Sequence, residues 1–183
     1  NHPSYAAKRK EVSLHFDQVI DKLRGRQLAQ GGFSFWPGGQ TNAQYPSIYV
    51  MHFLIEAQSL GYPVPKDMLQ RGSEFLLDYA ASEAHSMAQA RNRANAIYLL
   101  SRLGRVTTNF IVDLEKYLNE NQPEQWQKSL TGAYIAAAYQ LMHQDVEAQK
   151  LISGYQWAQH DKYKQQRGDF HSALSQNAQY ILL

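Results

Sequence analysis

The sequence predicts an all-α fold: an α/α toroid, or partial ring of helical hairpins, with apolar inner and amphipathic outer helices. Three observations carry this. Apolar residues recur at helical spacing along most of the 183 residues. Nearly all-apolar segments alternate with half-polar ones, and successive apolar segments lie about 40 residues apart, the range of helical repeats. Glycine, proline and aromatic residues gather between the segments. An open solenoid satisfies the same alternation, and the aromatic-glycine loops at helix junctions favour the ring. No segment reads convincingly as a strand.

The first helical stretch is Tyr5–Leu28. Val12, Phe16, Val19, Ile20 and Leu23 make one apolar stripe, and Gly25 is a plausible stop. Gln30–Gly39 follows, with four glycines, one proline and three aromatics in ten residues. That mixture suits neither helix nor flat strand, but it suits a compact loop whose Phe33, Phe35 and Trp36 plug a gap between helices. Tyr45–Leu60 is apolar nearly all round and predicts a buried helix, ended by Gly61, Pro63 and Pro65.

Lys66–Ala81 is amphipathic. Ala88–Leu103 is apolar and closes on Leu103-Gly104, echoing Leu60-Gly61. Thr107 or Thr108 is placed to cap an amphipathic helix over Asn109–Asn119. Ser129–His143 is a third apolar helix, rich in alanine. Asp145 opens a short amphipathic helix to Ser153. After the polar stretch His160–Asp169, Ser172–Leu183 begins a fourth apolar helix.

Hydrophobic residues make up 44% and charged residues 19%, which excludes disorder. A net charge of +2 without a basic block gives no nucleic-acid footprint. Lys8-Arg9-Lys10 reads as a solvated helix face. Cysteine is absent, which excludes disulfides, Cys-ligated zinc and thiol catalysis in this chain. No stretch approaches the ~20 apolar residues that span a bilayer, so no direct membrane insertion is expected. No leader-like n-region and h-region open the chain, and an uncapped Ile-Leu-Leu ends it. The expectation is one domain, residues 1–183, cut from a much longer multidomain chain.

The residues also carry a family resemblance. Gln27-x-x-x-Gly31-x-Phe33, followed by Trp36-Pro37-Gly38-Gly39, resembles the GGF-x-x-W segment in the thioester-containing, complement-like domain of α2-macroglobulin-type proteins. Ser47–Glu56 as an inner helix, and Ala57-x-x-Leu60-Gly61-Tyr62-Pro63-Val64-Pro65 after it, fit the same pattern. So does Gly168-Asp169-Phe170-His171-Ser172, leading into Ala173–Leu183. The bacterial version is the most similar, and residues 27–65 are the specific part. A turn of this kind also occurs in squalene-cyclase and prenyltransferase toroids.

The resemblance implies an α/α toroid inside a long chain of β-sandwich domains that traps proteases, periplasmic in bacteria and serving evasion of host defence. Its implied partners are the flanking β-sandwich domains and the target proteases, with no cofactor. Many members attach to the protease through a Cys–Gln thioester. This chain has no cysteine, so the Cys-x-Glu-Gln motif either precedes Asn1 or is missing from the parent.

Little in the sequence speaks for catalysis. Glycosidase chemistry needs two converging carboxylates, and the three complete apolar helices offer only Glu56, near a helix end. No Asp-rich cyclase motif is present. The histidines are scattered, and no pair has i, i+4 spacing. His160-Asp161 with Asp169 and His171 is the only candidate ligand set, and a plain polar loop explains it better. Ser34 lacks a Gly-x-Ser-x-Gly elbow, and Gly38-Gly39-Gln40-Thr41 lacks a P-loop lysine.

Glu83 and His85 precede an inner helix, where family members can hold a thioester-proximal histidine. Phe33, Phe35 and Trp36 are candidates for an interdomain contact, with core filling as the competing reading. The sequence therefore predicts a noncatalytic domain. The alternatives are a toroid enzyme acting on glycan or isoprenoid, and a helical-repeat binding scaffold.

Overall fold

The computed structural model describes residues 3–123, 125–157 and 172–183, with side chains from residue 11 onward. Eight α-helices are present among them: α1 (Pro3–Arg24), α2 (Gln44–Ser59), α3 (Lys66–Ala81), α4 (Met87–Arg102), α5 (Thr108–Asn121), α6 (Leu130–Leu141), α7 (Asp145–Ile152) and α8 (Ala173–Leu182). A 3-10 turn, Trp126–Lys128, precedes α6. No strand occurs among the described residues; Gln27 and Phe33 form an isolated antiparallel bridge. The chain divides into two compact units, Asn1–Leu76 and Leu77–Leu183.

In the first unit α1 stops at Arg24, four residues short of Leu28. The N–H groups of Arg26 and Gln27 both turn back to the Leu23 carbonyl, at 3.0 Å each, and that convergence ends the helix. The predicted α1 stripe is covered only in part. Phe16 and Ile20 are buried, while Val12 and Val19 stay exposed. Phe16 packs against Phe53 and Tyr62, with ring centroids 6.1 and 5.0 Å away. Helix α2 buries Ser47, Ile48, Met51, Leu54, Ile55 and Ala57. The expectation that it is buried all round is corrected: Tyr49 is 59% exposed and Phe53 is exposed as well. An apolar sequence says that a face can be covered, not that something covers it.

In the second unit α4 and α6 pack on one another. Residues Leu130 to Tyr139 of α6 are all buried, as are Arg93 to Ser101 of α4. Alanine at Ala90, Ala94, Ala133 and Ala136 leaves room for close approach of the two backbones. Helix α5 is amphipathic and buries Ile111, Leu114 and Leu118, one stripe at helical spacing. Helix α7 buries Ala148 and Leu151, and α8 buries no residue. Ser86, Ser129 and Ser172 cap α4, α6 and α8 by accepting backbone N–H bonds.

Thr107 stands at the α5 N-cap position as predicted, but its hydroxyl makes no cap bond. It meets Ser101 Oγ at 2.7 Å instead.

One turn recurs three times. Helices α2, α4 and α6 each end in a residue of positive φ: Gly61 (82°), Gly104 (76°) and His143 (60°). The next N–H in each case bonds back five residues: Tyr62 to Ala57 (2.9 Å), Arg105 to Leu100 (3.0 Å), Gln144 to Tyr139 (2.9 Å). The left-handed residue itself bonds back three residues, to Gln58, Ser101 and Gln140. This is the Schellman pattern, which satisfies the last helical carbonyls without help from elsewhere. It gives the alternation seen in the sequence a local cause.

Candidate functional site

The loop between α1 and α2 is built by hydrogen bonds rather than by regular structure. Leu28 N–H bonds Gly32 O at 2.8 Å and Gly31 N–H bonds Leu28 O at 2.9 Å, closing a tight turn. Gly31 has φ of 87°, and a Cβ placed on it would lie 1.8 Å from the Arg71 carbonyl oxygen. Only glycine fits, because the backbones of the loop and α3 meet there.

Gln27 ties the same turn to α3. Its Nε2 donates to Gly31 O (3.1 Å) and to Met68 O (2.9 Å). Ser47, buried on α2, holds the other side. Its Oγ accepts from Phe33 N–H at 2.7 Å and lies 2.7 Å from Ala43 O and 2.8 Å from Asn42 Oδ1. Backbone bonds from Ser34 N–H to Arg26 O and from Ala43 N–H to Phe33 O complete the fastening.

The three loop aromatics then part company. Phe33 is 1% exposed and fills the core, a burial that stabilises by roughly 1.5–3 kcal/mol. Phe35 and Trp36 are 58% and 76% exposed. Arg26 Nε donates to Phe35 O at 3.4 Å and Ser34 Oγ to Trp36 O at 2.6 Å, so the backbone beneath both rings is held. The result is a pinned loop that presents two large aromatics to its surroundings. Such rings lose little freedom on binding and suit a protein contact.

His85 sits just before the α4 N-cap. Its backbone N–H bonds Gln89 Oε1 at 2.8 Å, while Ser86 Oγ accepts from Gln89 N–H at 3.2 Å. The backbone is fixed and the residue is exposed, as is Glu83. Glu56 lies beside His52 one turn away on α2, with Nε2 3.4 Å from Oε1. His160, Asp161, Asp169 and His171 lie outside the described residues. No group of three or more His, Cys, Asp or Glu side chains is arranged to hold a metal among the described residues.

Two polar contacts in the second unit escaped the sequence reading. Arg93, 3% exposed on α4, donates to Ala80 O (2.7 Å) and pairs with Asp113 (2.6 Å). Its interaction with a backbone carbonyl and a partner 20 residues away has no signature in spacing. Tyr139 of α6 donates to Glu115 of α5. Burial raises the Glu115 pKa, opposed by that hydroxyl and by Lys150. Burial and the Glu115 carboxylate hold the Tyr139 hydroxyl protonated well above its ordinary range. A groove of about 640 Å³ runs between α6, α7 and α8, bounded by Ala136, Ala137, Ile152, Tyr180 and Ile181.

No family model matches the chain. The chain is 32% identical over 148 residues to the alpha-2-macroglobulin of Rickettsia conorii, covering 80% of this chain and 8% of that protein. It is 33% identical over 147 residues to the alpha-2-macroglobulin homolog of Yersinia pestis, covering 80% of this chain and 7% of that protein. Among solved structures, Escherichia coli alpha-2-macroglobulin activated by porcine elastase superposes with a TM-score of 0.76. It shares 22% identity and covers 96% of this chain and 16% of that one. The chain spans less than a tenth of the length of these curated relatives. Over four-fifths of its own length it is homologous to one segment of bacterial alpha-2-macroglobulins and has their helical fold there.

Proposed function

We propose that this chain, as a segment of a bacterial alpha-2-macroglobulin family protein, is the noncatalytic helical domain of a protease trap. The observation that supports it most is the pair of relatives at 32% and 33% identity across 80% of the chain. In this reading residues 1–183 belong to one α/α toroid, and the three repeated hairpin turns mark its inner-to-outer connections. Its flanking partners are β-sandwich domains of the same chain, and its targets are attacking proteases. The protein acts in the periplasm, in evasion of host defence.

The pinned loop gives the domain a docking element. Phe35 and Trp36 are the contact, and Phe33 acts from inside by anchoring them. His85, exposed beside the start of α4, is the residue we place near a thioester contributed by another segment. Water hydrolyses an exposed acyl thioester, so a dry aromatic contact around it has a clear use. No helix among the described residues is long and apolar enough to cross a membrane.

The test is the intact mass of the parent polypeptide with and without methylamine. A long parent that gains the mass of the amine and releases one thiol is the covalent trap. A long parent of unchanged mass leaves a noncovalent trap. A parent little longer than 183 residues refutes the proposal.

A further inference from the structure

Met142 follows α6, next to the left-handed His143. Its Sδ lies 3.5 Å from Thr107 Oγ1 and 3.7 Å from Thr108 Oγ1, two hydroxyls at the start of α5. Behind them Thr107 Oγ1 lies 2.7 Å from Ser101 Oγ, which donates to Ile97 O at 3.0 Å. A thioether is a weak acceptor. Two hydroxyls directed at one sulfur are therefore poorly used in the reduced protein. The four methionines also differ in access. Met51 and Met68 are 0% and 1% exposed, whereas Met87 and Met142 keep part of their surface open.

We propose that Met142 is a methionine-oxidation site, at which a peroxide-class oxidant forms a sulfoxide that the Thr107 and Thr108 hydroxyls hold. A lone pair on Sδ attacks one peroxide oxygen, the O–O bond breaks and an S–O bond forms. Sulfur loses two electrons, the peroxide is reduced, and the departing oxygen leaves as water with the proton of the transferred one. The product oxygen is a strong acceptor. An S–O bond of about 1.5 Å and a hydroxyl contact of about 2.7 Å, meeting near the tetrahedral angle, span about 3.5 Å. That span matches the present sulfur-to-hydroxyl distances, and rotation about Cγ–Sδ turns the oxygen toward them. The Ser101 proton can swing to Thr107, since either oxygen of that pair can donate. Sulfoxide formation commonly disrupts packing. Here it replaces two weak contacts by stronger ones between the start of α5 and the end of α6. Return to the thioether needs a methionine sulfoxide reductase of the matching epimer.

The proposal is independent of the protease-trap reading and is tested on the 183-residue chain. Met87→Leu leaves Met142 as the accessible thioether. The protein is treated with hydrogen peroxide, mapped by peptide mass spectrometry and unfolded in urea. Met142 gains one oxygen while Met51 and Met68 stay reduced, and the unfolding constant of the oxidised protein falls. Adding Thr108→Val, which keeps the shape and removes one hydroxyl, cuts that gain by roughly fivefold. The idea is overturned if Met142 resists peroxide that fully oxidises Met87 in the wild type. It is equally overturned if oxidation leaves the unfolding constant unchanged or raises it.

Discussion

Replacing His143 by glycine stabilises the second unit, whereas replacing Gly104 by alanine destabilises it. Both residues hold the left-handed position of the same turn, at φ of 60° and 76°. A residue with a Cβ loses about 1–2 kcal/mol in that conformation. Glycine gives back about 0.5–1 kcal/mol through the greater freedom of its unfolded chain. The difference leaves a net effect of about 1 kcal/mol in each direction. At Gly104 an added Cβ meets nothing within 4 Å, so the backbone angle alone sets the cost. For a chain of this size, 1 kcal/mol moves the Tm by about 2–4 °C. Urea unfolding followed by far-UV circular dichroism reads the effect as a shift in midpoint at constant slope. A His143→Gly protein no more stable than wild type would refute the reasoning. It would mean that the imidazole contributes more than the strained backbone loses.

Further outcomes follow from the same contacts. Gly31→Ala brings a Cβ to 1.8 Å from Arg71 O at φ of 87°, and both obstacles are backbone. We expect a loss in the exceptional class, above about 4 kcal/mol, and a stable Gly31→Ala protein in urea unfolding would contradict the close approach of loop and α3. Phe33→Ala should cost about 3–5 kcal/mol, whereas Trp36→Ala should stay within about 0.5 kcal/mol. Comparable losses at the two positions would show that Trp36 is a packing residue. Glu115→Gln tests the raised carboxyl pKa. A raised acid favours the fold below its ordinary pKa, and that contribution is lost as pH rises through the folded value. The variant should therefore gain on wild type at neutral pH, with the gain shrinking as pH falls through the raised folded value and gone below the ordinary carboxyl value. A difference that does not change with pH would count against it.

The helices were legible because their stops are local. Gly61, Gly104 and the Pro63/Pro65 pair punctuate the chain where the carbonyls need closing. The third turn was harder to read, since His143 is no turn signal and takes its φ from the closing bonds to Gln140 and Tyr139. The loop was legible as a loop, but the fates of its aromatics were not. Phe33 is drawn inward by Ser47, a buried hydroxyl on an otherwise apolar helix face, and that serine was the available clue. Phe35 and Trp36 have the same composition-level signal and the opposite exposure. Tyr49 and Phe53 make the same point for α2. Arg93 was invisible for a different reason: its stabilising partners are a carbonyl of α3 and a carboxylate of α5, brought together only by folding.

The fastening of Gln27 to Met68 O crosses 41 residues of sequence. The hairpin turns close within five residues of their own helix ends, but this fastening cannot form until α3 exists. At a synthesis rate of about 5–20 residues per second, the wait on the ribosome is about 2–8 s. During that interval the loop, with Phe35 and Trp36 exposed, is held only by its own bonds and those to α2. A segment fastened from two sides in the folded unit is thus, at birth, an aromatic loop held from one side only, the kind of exposed apolar surface that chaperones meet.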